Sequence, residues 1–101
     1  MRKTMSDVLK RFLKYVKIDT PSDEKNAQNT PSTPCQFDLA KALCAELKEL
    51  GLDARMTEHG YVYAKIPANV PATAAVGFIA HLDVVCEPKG YGVAPKVLKY
   101  T

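Results

Sequence analysis

The chain has 101 residues, of which 47% are hydrophobic and 25% charged, so it suits one small domain with a single core rather than two domains or a wholly disordered chain. The formal charge of +3 comes largely from a basic cluster near the start of the chain, which fits a solvated helix face better than a nucleic-acid surface. No apolar run approaches the roughly 20 residues that span a bilayer, and no signal-peptide core follows the first residues, so we expect a cytoplasmic protein without a membrane partner.

The first predicted element is an amphipathic helix that ends before Pro21. Ser6 is placed to cap this helix, and its apolar residues recur at helical spacing: Val8, Leu9, Phe12, Leu13 and Val16. Residues 19–33 then form a long loop without a periodic apolar pattern. A loop of this length in a compact domain is either functional or mobile, and the sequence leaves both open.

The second predicted helix has the clearest boundaries in the sequence. Thr33 and Gln36 form a capping box, Pro34 occupies the first helical position, and Gly51 follows the end. The apolar stripe of this helix comprises Phe37, Ala40, Leu43, Cys44, Leu47 and Leu50.

The residues after the second helix predict a sheet. Segments 54–58 and 61–66 are typical of two short strands, joined into a β-hairpin by His59 and Gly60, with His59 as a simple turn residue. Segment 74–80 is a nearly continuous apolar run, which suits a strand buried on both faces of a helix-covered sheet. The order of these elements predicts an α/β fold in which helices pack on a mixed sheet.

The three cysteines are expected to be reduced thiols. Cys35 and Cys44 fall on one predicted helix, about 13 Å apart at a rise of about 1.5 Å per residue, so they cannot form a disulfide there. The third, Cys86, leaves an odd number, which also favours a reducing compartment.

Polar residues that can carry chemistry stand at the carboxyl end of the predicted buried strand, the edge of an α/β sheet where ligands bind. His81 is a candidate metal ligand, and Asp83 is a candidate partner that fixes the tautomer of its imidazole. If the strand continues that far, its side-chain period of two projects both residues to one side. On spacing alone, a satisfied core or surface histidine is the more frequent case. Cys86 and Glu87 are further candidate ligands, although an idle thiol is the simpler interpretation of Cys86.

Four segments of the chain carry a resemblance to a known family: residues 31–37, 49–52, 66–71 and 77–83. Together they resemble the start of the peptidase T family of tripeptide aminopeptidases, within the wider group of co-catalytic zinc aminopeptidases and deacylases. The resemblance runs in order from about Leu9 to Tyr100. It implies that residues 1–101 are an incomplete amino-terminal segment of the catalytic domain of a zinc peptidase.

The resemblance implies roles for two residues of this chain. His81 matches a zinc-binding histidine, and Asp83 matches the carboxylate with a catalytic role in orienting and polarising that histidine. In the family, two zinc ions per active site activate a bridging water, a glutamate acts as general base, and the first residue of a short peptide is removed. The general base and the ligands of the second zinc are absent from this chain, and a homodimer of the full-length parent stays open.

One departure from the family pattern widens the choice of function. After Asp83 the tripeptidases usually have Thr-Ser, whereas this chain has Val84 and Val85, a continuation typical of related dipeptidases and deacylases. Because the match stops before the remaining ligands, we expect the 101-residue chain alone to be inactive. The alternative is a stand-alone binding domain that uses a sheet edge and the basic helix.

Overall fold

The computed structural model describes residues 6–85 and 92–99, and contains two helices and one hairpin. Helix α1 spans Asp7–Tyr15, a short 3-10 turn spans Glu24–Asn26, and helix α2 spans Gln36–Glu49. Strands β1 (Asp53–Met56) and β2 (Val62–Lys65) pair antiparallel, and α2 packs against both. Within the described ranges, neither helix has the length and apolar character that crossing a membrane requires.

Helix α1 begins as the sequence predicts. The Ser6 side chain accepts a hydrogen bond from the Leu9 amide at 3.2 Å, which satisfies one of the orphan amides of the first turn. The predicted apolar stripe is only partly covered, because Val8 and Phe12 are exposed and no residue of α1 is buried. Helix α1 is tied to α2 by the side chains of Lys14 and Tyr15, which both bind Glu46.

The predicted loop 19–33 is confirmed as irregular, apart from the 3-10 turn, and its own side chains order it. Ser32 holds two parts of the loop together: its hydroxyl accepts from the Asp23 amide at 2.9 Å, and its carbonyl accepts from the Asn26 side chain at 2.8 Å. The Lys25 amide donates to the Asp23 carboxylate at 3.0 Å and so begins the 3-10 turn. These bonds give the loop a defined shape.

The predicted start of α2 is wrong in its capping. The N-cap residue is Cys35, which makes no side-chain cap bond, and the amides of the first turn bind carbonyls three residues back instead. Thr33 does not cap because its hydroxyl donates to the Pro21 carbonyl at 2.6 Å, and Gln36 turns towards Thr33 and Ser32. Both capping-box residues therefore fix the preceding loop against the helix.

The predicted end of α2 is confirmed. Gly51 has a φ of 85°, and the amides of Gly51 and Leu52 donate to the carbonyls of Lys48 and Leu47 at 2.9 and 3.0 Å. This pair of bonds is a Schellman motif, which closes the helix and needs a residue that tolerates the left-handed conformation. Glycine meets that need without a Cβ penalty.

The hairpin and one face of α2 make a small core. Ala54 of β1 lies opposite Ala64 of β2, and the turn between the strands is closed by the Thr57 amide donating to the Tyr61 carbonyl at 2.8 Å. His59 and Gly60 stand in that turn, as predicted. The buried apolar residues of the described chain are Leu39, Ala40, Cys44 and Ala54. Leu39 was missed by the predicted stripe, whereas Ala40 and Cys44 belong to it; Cys35 and Cys44 are free thiols, as expected.

The predicted buried strand at 74–80 is wrong for this structure. The segment is in neither helix nor strand, and Phe78 and Ile79 are 95% and 100% exposed. A strand buried on both faces needs a hydrogen-bonded neighbour and covering side chains, and the described residues supply neither. The sheet observed here is consequently a two-stranded antiparallel one rather than mixed.

Candidate functional site

The structure brings the two predicted site residues into contact. His81 Nδ1 lies 3.1 Å from Asp83 Oδ1, although the backbone between them is not a strand. Because a carboxylate can only accept a hydrogen bond, the contact selects the tautomer that carries its proton on Nδ1. The other ring nitrogen, Nε2, then presents a lone pair, and the His81 side chain is 84% exposed.

The segment that carries His81 and Asp83 is attached to the rest of the protein through the next residue. The Val84 amide donates to the Thr20 carbonyl, and the Ser22 amide donates to the Val84 carbonyl, each at 2.9 Å. Together they form an isolated parallel bridge between Pro21 and Val84. The Ser22 hydroxyl adds a further bond to the Val84 carbonyl at 3.1 Å.

His81 and Asp83 line a cavity of about 930 Å³. Its lining includes the apolar residues Leu43 and Leu47 of α2 and Val62 of β2, residues 78–83, and polar residues of the loop such as Ser22 and Ser32. The site residues therefore share one open cavity with residues of α2 and the hairpin.

The donor set fits one zinc ligand and not a complete zinc site. His81 has the tautomer and the exposure that a metal-binding imidazole needs. Over 6–85 and 92–99, however, no group of three histidine, cysteine, aspartate or glutamate side chains is close enough to hold a metal ion, whereas a reactive zinc site has about three protein ligands and a water. The other two candidates, Cys86 and Glu87, lie outside the described residues.

His59, the second histidine, is placed in the hairpin turn. Its Nδ1 lies 3.4 Å from the Thr30 carbonyl, and its Nε2 lies 3.5 Å from the Glu58 carboxylate. The ring therefore links the turn to the loop 19–33, in agreement with its prediction as a turn residue. The sequence pattern did not predict that Thr20 and Ser22 reach Val84, because a bridge of single residues leaves no periodic signal.

Comparison with known proteins shows what this chain is similar to. No family model matches it. It is 45% identical over 92 residues to peptidase T of Shewanella sediminis, which covers 90% of this chain and 22% of that protein. The corresponding values are 48% over 96 residues, 94% and 23%, for peptidase T of Desulfitobacterium hafniense strain Y51, and 46% over 97 residues, 94% and 24%, for peptidase T of Clostridium acetobutylicum.

These relatives are peptidases, and nearly the whole chain aligns with them. More narrowly, the chain is homologous to a portion of peptidase T, which confirms the resemblance seen in the sequence. It spans less than a quarter of the length of the first two of these relatives.

Proposed function

We propose that this region is the amino-terminal part of the catalytic domain of a zinc-dependent tripeptide aminopeptidase, which removes the first residue of short peptides. His81 is the zinc ligand in this proposal, and Asp83 is the catalytic carboxylate that orients it. The observation that carries the proposal is the contact between His81 Nδ1 and Asp83 Oδ1 in a chain about 45% identical to peptidase T.

The chain's own contribution to the chemistry follows from that contact. Asp83 keeps the proton of His81 on Nδ1, so Nε2 is available to a metal, and the negative charge makes the imidazole a stronger base towards the metal. Zinc, when bound, polarises the scissile carbonyl and activates a water molecule. The remaining ligands, the general base and any second zinc lie in the part of a full-length peptidase that this region does not include.

In a protein of the relatives' length, we propose that segment 74–80 joins β1 and β2 in a mixed sheet. Two observations support this: Phe78 and Ile79 are almost fully exposed here, and the cavity that they line also includes the apolar residues Leu43, Leu47 and Val62. Burial of apolar area at about 25 cal/mol per Å² would favour closing that space. A homodimer of the full-length protein is compatible with this arrangement.

Two other functions fit some of these observations. Val84 and Val85 after Asp83 favour a related dipeptidase or deacylase, which would share the metal chemistry and differ in substrate. The exposed apolar segment 74–80 favours a non-catalytic binding domain, because large apolar patches mark interaction surfaces. A related dipeptidase or deacylase would need His81 for hydrolysis, whereas a binding domain would hydrolyse nothing.

A chimeric enzyme tests the proposal. This chain replaces the matched segment of the Desulfitobacterium hafniense peptidase T, to which it is 48% identical over 96 residues. The zinc content of the chimera and its hydrolysis of a tripeptide are then measured. We expect metal-dependent hydrolysis that His81→Ala abolishes and His59→Ala preserves. A folded, zinc-loaded chimera whose hydrolysis survives His81→Ala would overturn the assignment. Preference for a dipeptide or an acylated amino acid would move the function to the related enzymes.

A further inference from the structure

We propose that residues 20–22 act as a positioning strap for the His81–Asp83 pair and that the strap is held by the side chains of Thr33 and Gln36. The inference deepens the proposed function, because it concerns the placement of the same pair. Its evidence is independent of metal binding: it rests on which hydrogen bonds fix the backbone beside Asp83.

Val84 is the attachment point of segment 74–85, which carries His81 and Asp83. Among the described residues, the hydrogen bonds that join segment 74–85 to the rest of the protein all involve Val84. The partners are the Thr20 carbonyl, the Ser22 amide and the Ser22 hydroxyl. Because Val84 follows Asp83 directly, these bonds set where the carboxylate stands.

Pro21 suits the centre of the strap. In a parallel bridge, the bonds to Val84 come from the residues on either side of the bridging residue, so the missing amide of proline costs no hydrogen bond. The Pro21 carbonyl points to the other side, where Thr33 Oγ1 donates to it at 2.6 Å and Gln36 Nε2 approaches at 3.5 Å. The strap is thus bonded on one edge to the site and on the other to the start of α2.

The strap is anchored on both sides of the bridge between Pro21 and Val84. Thr20 is 3% exposed, the one buried polar residue of the described chain. Asp19, just before it, accepts a hydrogen bond from the Gly92 amide at 2.9 Å. The Gln36 side chain also reaches Thr33 Oγ1 at 3.0 Å, so the two α2 contacts support each other. Because the strap is held by these bonds, it restrains the backbone of Val84, with which it pairs.

From this we assign Ser22, Thr33 and Gln36 as positioning residues. They do not touch the reacting atoms; they hold Val84, and Val84 holds Asp83 in reach of His81. Among the described residues, Asp83 is the only hydrogen-bond partner of the exposed imidazole. Loosening the strap should therefore loosen the imidazole, even though Thr33 and His81 belong to different parts of the chain.

Nuclear magnetic resonance of the full 101-residue chain tests the strap without metal. The variants are Ser22→Ala, Thr33→Val and the conservative Thr33→Ser, and the control is Ser6→Ala, which removes the cap of α1 and has no link to Val84. The readouts are hydrogen exchange at the Val84 amide and the nitrogen shifts of the His81 ring, which report its tautomer. Ser6→Ala should destabilise the fold without changing the tautomer of His81.

We expect exchange at Val84 to speed up about two- to tenfold in Ser22→Ala and Thr33→Val, as the loss of one hydrogen bond predicts. The His81 ring should move towards a mixture of tautomers in both variants, Thr33→Ser should restore the original state, and Ser6→Ala should not change it. If Thr33→Val unfolds the chain, Ser22→Ala carries the test. Unchanged exchange at Val84, or an equal tautomer change in Ser6→Ala, would overturn the strap, whereas failure of the chimera overturns only the zinc role.

Discussion

Tyr15 on α1 donates its phenolic hydrogen to one carboxylate oxygen of Glu46 on α2, while Lys14 binds the other oxygen at 2.9 Å. The hydrogen bond from Tyr15 is the main reason that the pKa of Glu46 is lowered, followed by the bond from Lys14. Partial burial, together with the bond to Glu46, raises the pKa of Tyr15 to about 12. The contact between the helices is therefore sensitive to pH.

The first prediction is that this contact stabilises the chain over a broad neutral range. The lowered pKa of Glu46 gives stability that is present above its ordinary value of about 4.3 and lost as the pH falls through the folded value. The raised pKa of Tyr15 gives stability that is present below about 10 and lost as the pH rises towards about 12. Tyr15→Phe should lower the unfolding midpoint at neutral pH. The midpoint of this variant should also fall less as the pH is lowered into the acid range.

Unfolding midpoints measured over a pH series check this prediction. Tyr61→Phe is the matched control, because the Tyr61 hydroxyl makes no hydrogen bond within the described residues and the ring is half exposed. Equal pH profiles for Tyr15→Phe and the original chain would mean that the bond to Glu46 does not form in solution.

The second prediction concerns the end of α2. Gly51→Ala should destabilise the chain by about 1–2 kcal/mol, because alanine pays a steric cost in the left-handed conformation that Gly51 adopts with a φ of 85°. A Cβ at this position would meet no other atom within 4 Å, so the cost is a backbone effect. Chemical denaturation measures it, and Gly51→Asn should cost less. Similar stability of Gly51→Ala and the original chain would contradict the Schellman end.

The sequence predicted the hairpin and the end of α2 because their signals are local. Gly51 and Gly60 adopt positive φ, and β1 between them alternates between exposed and more buried residues, as a short strand should. The predicted capping role of Thr33 is wrong for the opposite reason. Thr33 and Gln36 match the spacing of a capping box in the sequence, but the Thr33 hydroxyl binds the carbonyl of Pro21, twelve residues away, and no local pattern predicts that contact.

Segment 74–80 shows a second limit of sequence patterns. Its apolar composition states what environment the segment prefers, but a strand forms only where partners supply hydrogen bonds and cover. The described residues lack those partners. At the site, His81 and Asp83 lie in contact although the backbone that carries them does not form the predicted strand, and their attachment through Val84 and Thr20 needed the three-dimensional structure.

The third prediction follows from the exposure of segment 74–80. Phe78→Ser and Ile79→Ser should change the stability of the isolated chain by less than about 0.5 kcal/mol, because these side chains make little contact. Both should reduce self-association, since they remove apolar surface. Leu39→Ala, at a buried core position, should instead cost about 2–5 kcal/mol. Unfolding curves and light scattering separate these effects, and strong destabilisation by Phe78→Ser would show that the segment is packed in solution.

The fourth prediction distinguishes the roles of the two site residues in the chimera. His81→Ala should lower the zinc content, because it deletes a ligand. Asp83→Asn should keep the metal but lower kcat, because asparagine can still accept the hydrogen bond from Nδ1 without the negative charge that strengthens the imidazole. Elemental analysis with steady-state kinetics tests both. Full zinc content in His81→Ala would show that His81 is not a zinc ligand. An unchanged kcat in Asp83→Asn would show that the negative charge of Asp83 does not contribute to turnover.

The last prediction concerns the 101-residue chain by itself. A hydrolytic zinc site has about three protein ligands and a water, and in the described ranges His81 stands without two further donors close to it. We therefore expect zinc affinity several orders of magnitude below that of a complete peptidase site, where each ligand adds to the binding free energy, and no tripeptide hydrolysis above background. The test is an assay of the purified chain with a tripeptide and increasing zinc. Hydrolysis that depends on zinc and disappears in His81→Ala would contradict the ligand count, and a turnover that rises with the square of the chain concentration would show that two copies combine their ligands.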